Sequence, residues 1–139
     1  MTNSNKIFNS RRPLIYAGSG IRASNTHKEL ISLAENLNIP IVTSWNSNDI
    51  IWDDHPLNAG RPGTVGTRAG NYSVQTSDVL IVLGARLNIR QISYNWESFA
   101  DKAWICHVDI DNSELEKPTL NQDLKIQIDL KELSTFFHI

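Results

Sequence analysis

The chain has 139 residues, 40% of them hydrophobic, which matches one ordinary domain with a single core. Its 13 basic and 15 acidic residues leave a net charge of -2, too small a field to steer the chain onto nucleic acid or an anionic membrane. The polar, Asn-rich Met1 to Ser10 has no signal-peptide apolar core, and no apolar run approaches the roughly 18 residues that cross a bilayer. A soluble, cytoplasmic protein with no nucleic-acid or membrane partner is expected.

Residues 1–10 are expected to form a flexible leader, and 11–139 one domain. Pro13 to Ala17 is a short apolar run ending in Gly18-Ser19-Gly20, as a buried parallel strand ends in a tight turn. A helix should follow, capped by Ser24 or Asn25, with Leu30, Leu33, Ala34 and Leu37 on one face and Asn38 as a left-handed stop. Ile39 to Thr43 reads as a second strand, with Pro40 tolerated at its start.

From Ser44 to Arg68 the pattern dissolves into Trp, Asn, Asp, His, Pro and Gly, with a short helical turn expected only at Asp49 to Trp52. So long an irregular stretch in a compact domain is often functional. Ala69 to Thr76 is then read as a helix and Val79 to Leu83 as the clearest buried strand, ending at Gly84-Ala85-Arg86. Tyr94 to Ala100 reads as a short helix and Ala103 to Val108 as a strand. Asp111 to Glu114 has capping-box spacing, Leu124 to Ile128 is a last strand, and Leu130 to Phe137 a closing helix. This alternation implies a doubly wound, mainly parallel six-stranded sheet with helices on both faces, Rossmann-like, without repeats or a second domain.

In such sheets ligands bind beyond the carboxyl ends of the strands. The informative residues are therefore Gly18-Ser19-Gly20, Thr43-Ser44, Gly84-Ala85-Arg86, Asp109-Ile110-Asp111 and Asp129. The glycine turn can offer N–H groups to a phosphate, or be a plain tight turn, since only two glycines of the dinucleotide fingerprint are present. Arg86 and Arg90 are either a fork for a pyrophosphate or cations paired with nearby carboxylates. Asp109 and Asp111 suit a ribose, an adenine amine or a metal, although Asp111 reads better as a helix cap and Asp109 as an acceptor of backbone N–H groups.

Cys106, alone and flanked by apolar residues, reads as a buried thiol. His27, His55, His107 and His138 lack metal-ligand spacing, and no Ser-His-Asp triad is indicated. Trp45 and Trp52, in the irregular stretch, are the candidates for an interface.

Arg12-Pro13, Gly18-Ser19-Gly20, Ile39-Pro40-Ile41-Val42-Thr43, His55-Pro56-Leu57, Gly60-Arg61-Pro62-Gly63, Ser77-Asp78, Gly84-Ala85-Arg86-Leu87 and Val108-Asp109-Ile110-Asp111 occur in this order from about Arg11 to the end. Collinear in this way, they resemble the central domain of thiamine-diphosphate-dependent enzymes of the acetolactate synthase kind. The resemblance implies a DHS-like NAD/FAD-binding fold and a middle domain that binds the ADP part of FAD, binds ADP, or is structural. It further implies a lyase or transferase acting on a 2-oxo acid such as pyruvate. Thiamine diphosphate and Mg2+ would lie on other domains of the parent chain, and the parent would be a homo-oligomer. No catalytic or metal-binding residue is expected here.

If a nucleotide binds, the resemblance puts it against Gly18, Ser19, Gly20, Thr43, Ser44, Gly63, Gly84, Ala85, Arg86, Arg90, Asp109, Ile110 and Asp129. Two departures, Val65 where acetolactate synthases usually have histidine and Ile128 where they usually have glycine, leave ADP alone or no flavin open. The alternatives are a stand-alone NAD- or nucleotide-binding regulator, and an architectural domain whose cleft is filled by its own Arg86 and Trp45.

Overall fold

The computed structural model describes residues 3–136. Six strands, β1 (Pro13–Ala17), β2 (Ile41–Thr43), β3 (Asn58–Gly60), β4 (Val79–Leu83), β5 (Trp104–Asp109) and β6 (Leu124–Gln127), form one sheet in the order β3-β2-β1-β4-β5-β6. Every pairing is parallel. Helices α1 (Asn3–Phe8), α2 (Gly20–Ala23), α3 (His27–Leu37), α4 (Arg68–Thr76), α5 (Ile89–Ile92), α6 (Asn112–Leu115) and α7 (Leu130–Phe136) complete the doubly wound α/β fold. Among the described residues no helix is long and apolar enough to cross a membrane.

The two-residue period of an extended chain divides each central strand between two cores. Ile15 and Ala17 of β1, Leu83 of β4 and Cys106 and Val108 of β5 share one layer with Leu30 and Ala34 of α3 and Leu130 of α7. Leu14 and Tyr16, Leu80 and Val82, and Ile105 face the other, with Val74 of α4 and Ile92 of α5. Covered on both faces, β1 and β4 carry the continuous apolar runs that made them legible.

Several boundaries differ from the sequence reading. The leader contains α1, whose Ile7 packs against the first core layer. The residue before α3 is Thr26, not Ser24 or Asn25; the Ser24 hydroxyl instead closes α2 by donating to the Gly20 carbonyl at 2.7 Å, and Asn25 sits at φ 57°. Asn38 is the left-handed stop, at φ 53°. β2 begins at Ile41, because the Pro40 nitrogen has no hydrogen to give the ladder.

The short helical turn lies at Trp45–Ser47, not Asp49 to Trp52, anchored by a Ser47 hydroxyl that donates to the Ala17 carbonyl at 3.1 Å. β3 has no apolar alternation and forms by pairing with β2 across a register shift. Within Tyr94 to Ala100 only Trp96–Ser98 is helical, as a 3-10 turn. The capping box is half made: the Asp111 carboxylate accepts from the Ser113 N–H at 2.8 Å, but Glu114 turns away from the helix start. Phe137 and His138 lie outside the described residues.

Candidate functional site

The strand order reverses direction between β1 and β4, so the connections leaving those two strands diverge and open a crevice at their carboxyl ends. Backbone crossing there is close. A Cβ on Gly18 would lie 2.6 Å from Ala85 Cβ, and one on Gly20 2.7 Å from Gly84 Cα, so only glycine allows the two strand ends to touch. Gly18 N–H donates to the Leu83 carbonyl at 2.9 Å and Gly20 N–H to the Gly84 carbonyl at 3.0 Å. These amides are spent on the β1–β4 crossing, which makes the Gly18-Ser19-Gly20 turn a packing device.

Beside this crossing is a cleft of about 260 Å3. Ser19 and Gly20 form one wall, Gly84 and Arg86 a second, and Asp109, Ile110, Ile128 and Asp129 a third. Asp109 Oδ1 accepts from the Asp111 N–H and Asp129 Oδ1 from the Lys131 N–H, each at 2.9 Å. Both carboxylates are therefore oriented by backbone through Oδ1, Asp109 as a buried side chain at 7% exposure and Asp129 as a half-buried one.

Of the other expected residues, Gly63 and Arg90 line a separate depression of about 190 Å3 with Trp45 and Arg61. Arg90 stacks on the Trp45 indole, 5.8 Å from its centroid. Gly18 and Ala85 lie under the cleft rather than in it, and Thr43 and Ser44 are buried, with the Ser44 hydroxyl bonded to Ser47 and Asn46. The Arg86 side chain is 69% exposed and Trp45 56%, so neither fills the cleft.

The Gly84-Ala85-Arg86 loop is held by groups that the sequence reading did not bring together with it. His107, wholly buried on β5, donates from Nε2 to the Ala85 carbonyl at 2.9 Å, while its Nδ1 accepts from Gln122 Nε2 at 3.1 Å. Burial pushes the His107 pKa below its ordinary value against the pull of the Ala85 hydrogen bond and the Asp109 charge, so the ring is neutral at pH 7. Lys117 Nζ donates to the Arg86 carbonyl at 2.7 Å.

Glu114 accepts from Arg86 Nε at 2.7 Å and pairs with Lys117. Burial raises its carboxyl pKa, but the hydrogen bonds and charges of Lys117 and Arg86 outweigh that and hold it below the usual range. These contacts span 22 to 31 residues, beyond the reach of any local motif.

Cys106 is buried, which pushes its thiol up to about 11. His27 bonds the Ile50 carbonyl and His55 pairs with Glu35. Among the described residues no three His, Cys, Asp or Glu side chains are grouped to hold a metal ion. A larger depression of about 580 Å3, lined by residues such as Trp96, Phe99, Leu120 and Asp123, contains none of the expected site residues and lies away from the strand-end crevice.

Residues 5–135 match the central-domain family of thiamine pyrophosphate enzymes. The chain is 42% identical over 125 residues to a probable acetolactate synthase large subunit of Methanococcus aeolicus, covering 90% of this chain and 20% of that one. It is 39% identical over 127 residues to the corresponding protein of Methanocaldococcus jannaschii (91% and 21%), and 36% over 125 residues to the acetolactate synthase of Mycobacterium leprae (90% and 20%). It thus spans about a fifth of the length of the curated relatives it matches. On the match across nearly its whole length, the chain belongs to the family of thiamine pyrophosphate enzyme central domains.

Proposed function

We propose that this domain binds the ADP part of FAD, or ADP itself, within an acetolactate synthase-like enzyme that uses thiamine diphosphate and Mg2+ on other domains to act on a 2-oxo acid. One observation carries the reading: a crevice at the topological switch point brings a solvent-facing guanidinium and two backbone-oriented carboxylates to one cleft. The residues fit the group. Arg86 would hold the diphosphate through its terminal amino groups, and Asp109 and Asp129 would accept from ribose hydroxyls. The glycine amides are not available for a phosphate cradle, so the arginine bears that task.

Carbon–carbon chemistry is assigned to the rest of the parent, which we take to be cytoplasmic and oligomeric. The role here is nucleotide retention and the joining of domains.

The test is calorimetric titration of the chain with FAD, ADP and NAD, repeated on Arg86→Ala. Charge-assisted hydrogen bonds are worth about 1.5–3 kcal/mol, so FAD or ADP should bind at least roughly tenfold more weakly to the variant. No affinity for any of the three at millimolar concentration would reject the reading. That result would favour a purely architectural domain, which the engagement of Gly18 and Gly20 with β4 already suits.

A further inference from the structure

Arg86 is held in an unusual way for a side chain so open to solvent. Glu114, on α6, is 8% exposed and takes the Arg86 Nε–H on its Oε1 at 2.7 Å. Its Oε2 faces the Lys117 ammonium, and Lys117 reaches the Arg86 carbonyl, so both ends of the arginine, main chain and guanidinium, are tied to one short helix and its flank. Only the Nε edge of the fork is consumed. Among the described residues neither terminal amino group of Arg86 has a protein partner, and Arg86 lines the cleft.

We propose that Glu114 is a positioning residue that holds Arg86 by Nε and so presents its two terminal amino groups to a diphosphate in the cleft. The inference rests on the nucleotide reading above. A guanidinium carries its N–H donors in a rigid plane, and fixing one edge fixes the direction of the rest. An arginine held before the ligand arrives loses less side-chain freedom on binding it.

The charge of Glu114 acts in the opposite sense, because a carboxylate beside the diphosphate repels it. Charge alone therefore makes every neutral replacement of Glu114 bind ADP more tightly than the wild type. Positioning makes the replacement that lacks an acceptor bind ADP more weakly.

The experiment is calorimetric titration of the chain and of Glu114→Ala and Glu114→Gln with ADP and with adenosine, which has no phosphate. Both variants lose the charge, but glutamine keeps an oxygen for the Arg86 Nε–H, so the gap between them isolates the hydrogen bond. Glu114→Ala should bind ADP about two- to tenfold more weakly than wild type, glutamine should recover part of that loss, and adenosine should bind all three alike. In an Arg86→Ala background, Glu114→Ala should add no further loss.

Nitrogen-15 spectra supply a ligand-free readout: the Arg86 Nε–H should exchange slowly in the wild type and rapidly in Glu114→Ala. Glu114→Met, which has similar volume and no oxygen, repeats the comparison if the alanine variant does not fold. Equal ADP affinity in the alanine and glutamine variants, tighter binding by alanine, or a matching loss for adenosine would overturn the inference while leaving the nucleotide site standing. A wild-type chain that binds no ADP would overturn both.

Discussion

Two depressions at the carboxyl edge of one sheet each present an arginine, and they are built differently. Arg86 stands on a strand end where glycines let β1 and β4 touch, with a buried imidazole bonded to the carbonyl before it and a buried carboxylate on its Nε. Arg90 lies four residues on, laid over the exposed Trp45, with its carbonyl taking the Thr64 N–H at 2.8 Å. The first arginine is fixed by directional, charge-assisted bonds to the core, and the second by a dispersed attraction to an exposed ring. Strand ends can hold a charge in one place; the loop edge beside them gives it more freedom.

The β1–β4 crossing underlies the placement of Arg86. Gly18→Val puts a branched side chain where a single Cβ already meets Ala85 Cβ at 2.6 Å, so the β1 and β4 ends must part. A loss of about 3 kcal/mol in urea unfolding is expected, with loss of any ADP affinity. An unchanged unfolding midpoint would mean that the strand crossing does not set the cleft.

Legibility follows the same division. β1 and β4 have apolar runs with both faces buried, and their bounds agree with the sequence reading to the residue. β3, Asn58–Gly60, has no such run and exists because β2 offers it a paired edge, so no local pattern could reveal it. Ser19, Gly20, Gly84, Arg86, Asp109, Ile110 and Asp129 converge on one cleft because a parallel sheet brings all its strand ends to one side.

Thr43 and Ser44 end a strand as well, but β2 runs into the turn Trp45–Ser47, which folds their side chains inward. Glu114 illustrates the limit of local spacing. It sits at the third position after Asp111, as a capping box requires, yet two cations brought from the β4 end and from Lys117 compete for its carboxylate and win it.

The imidazole under the Arg86 loop makes the contrast sensitive to pH. His107 has its pKa depressed in the fold relative to an unfolded value of 6.5, so the unfolded chain binds the extra proton first as the solution is acidified. Its contribution is complete above pH 6.5 and is lost as pH falls from there towards the folded pKa. Urea midpoints should therefore fall between pH 7 and pH 5. In His107→Gln, which keeps a donor for Ala85 and cannot titrate, that part of the slope should vanish. An identical slope in the variant would show that His107 does not set the sensitivity in this window, since Asp78 and Glu114, whose pKa values are lowered, act only in a more acidic range.

The smallest effect belongs to Arg90. Its guanidinium is 5.8 Å from the Trp45 centroid at an exposed site, where such a contact is worth about 0.5–1 kcal/mol. It shares its depression with Arg61, already paired to Asp53 at 2.7 Å, and lies outside the cleft that holds Asp109 and Asp129. Arg90→Ala should weaken ADP by no more than about fivefold and lower the urea midpoint only slightly, against a loss of at least roughly tenfold in Arg86→Ala. Titration of both variants under the same salt conditions measures that ratio directly. Equal losses would mean that the ligand bridges the two depressions and that the anchoring of an arginine does not decide its part in binding. A longer nucleotide such as FAD could produce equality where ADP does not, so the pair of ligands on the pair of variants also measures how far along the sheet edge the bound molecule extends.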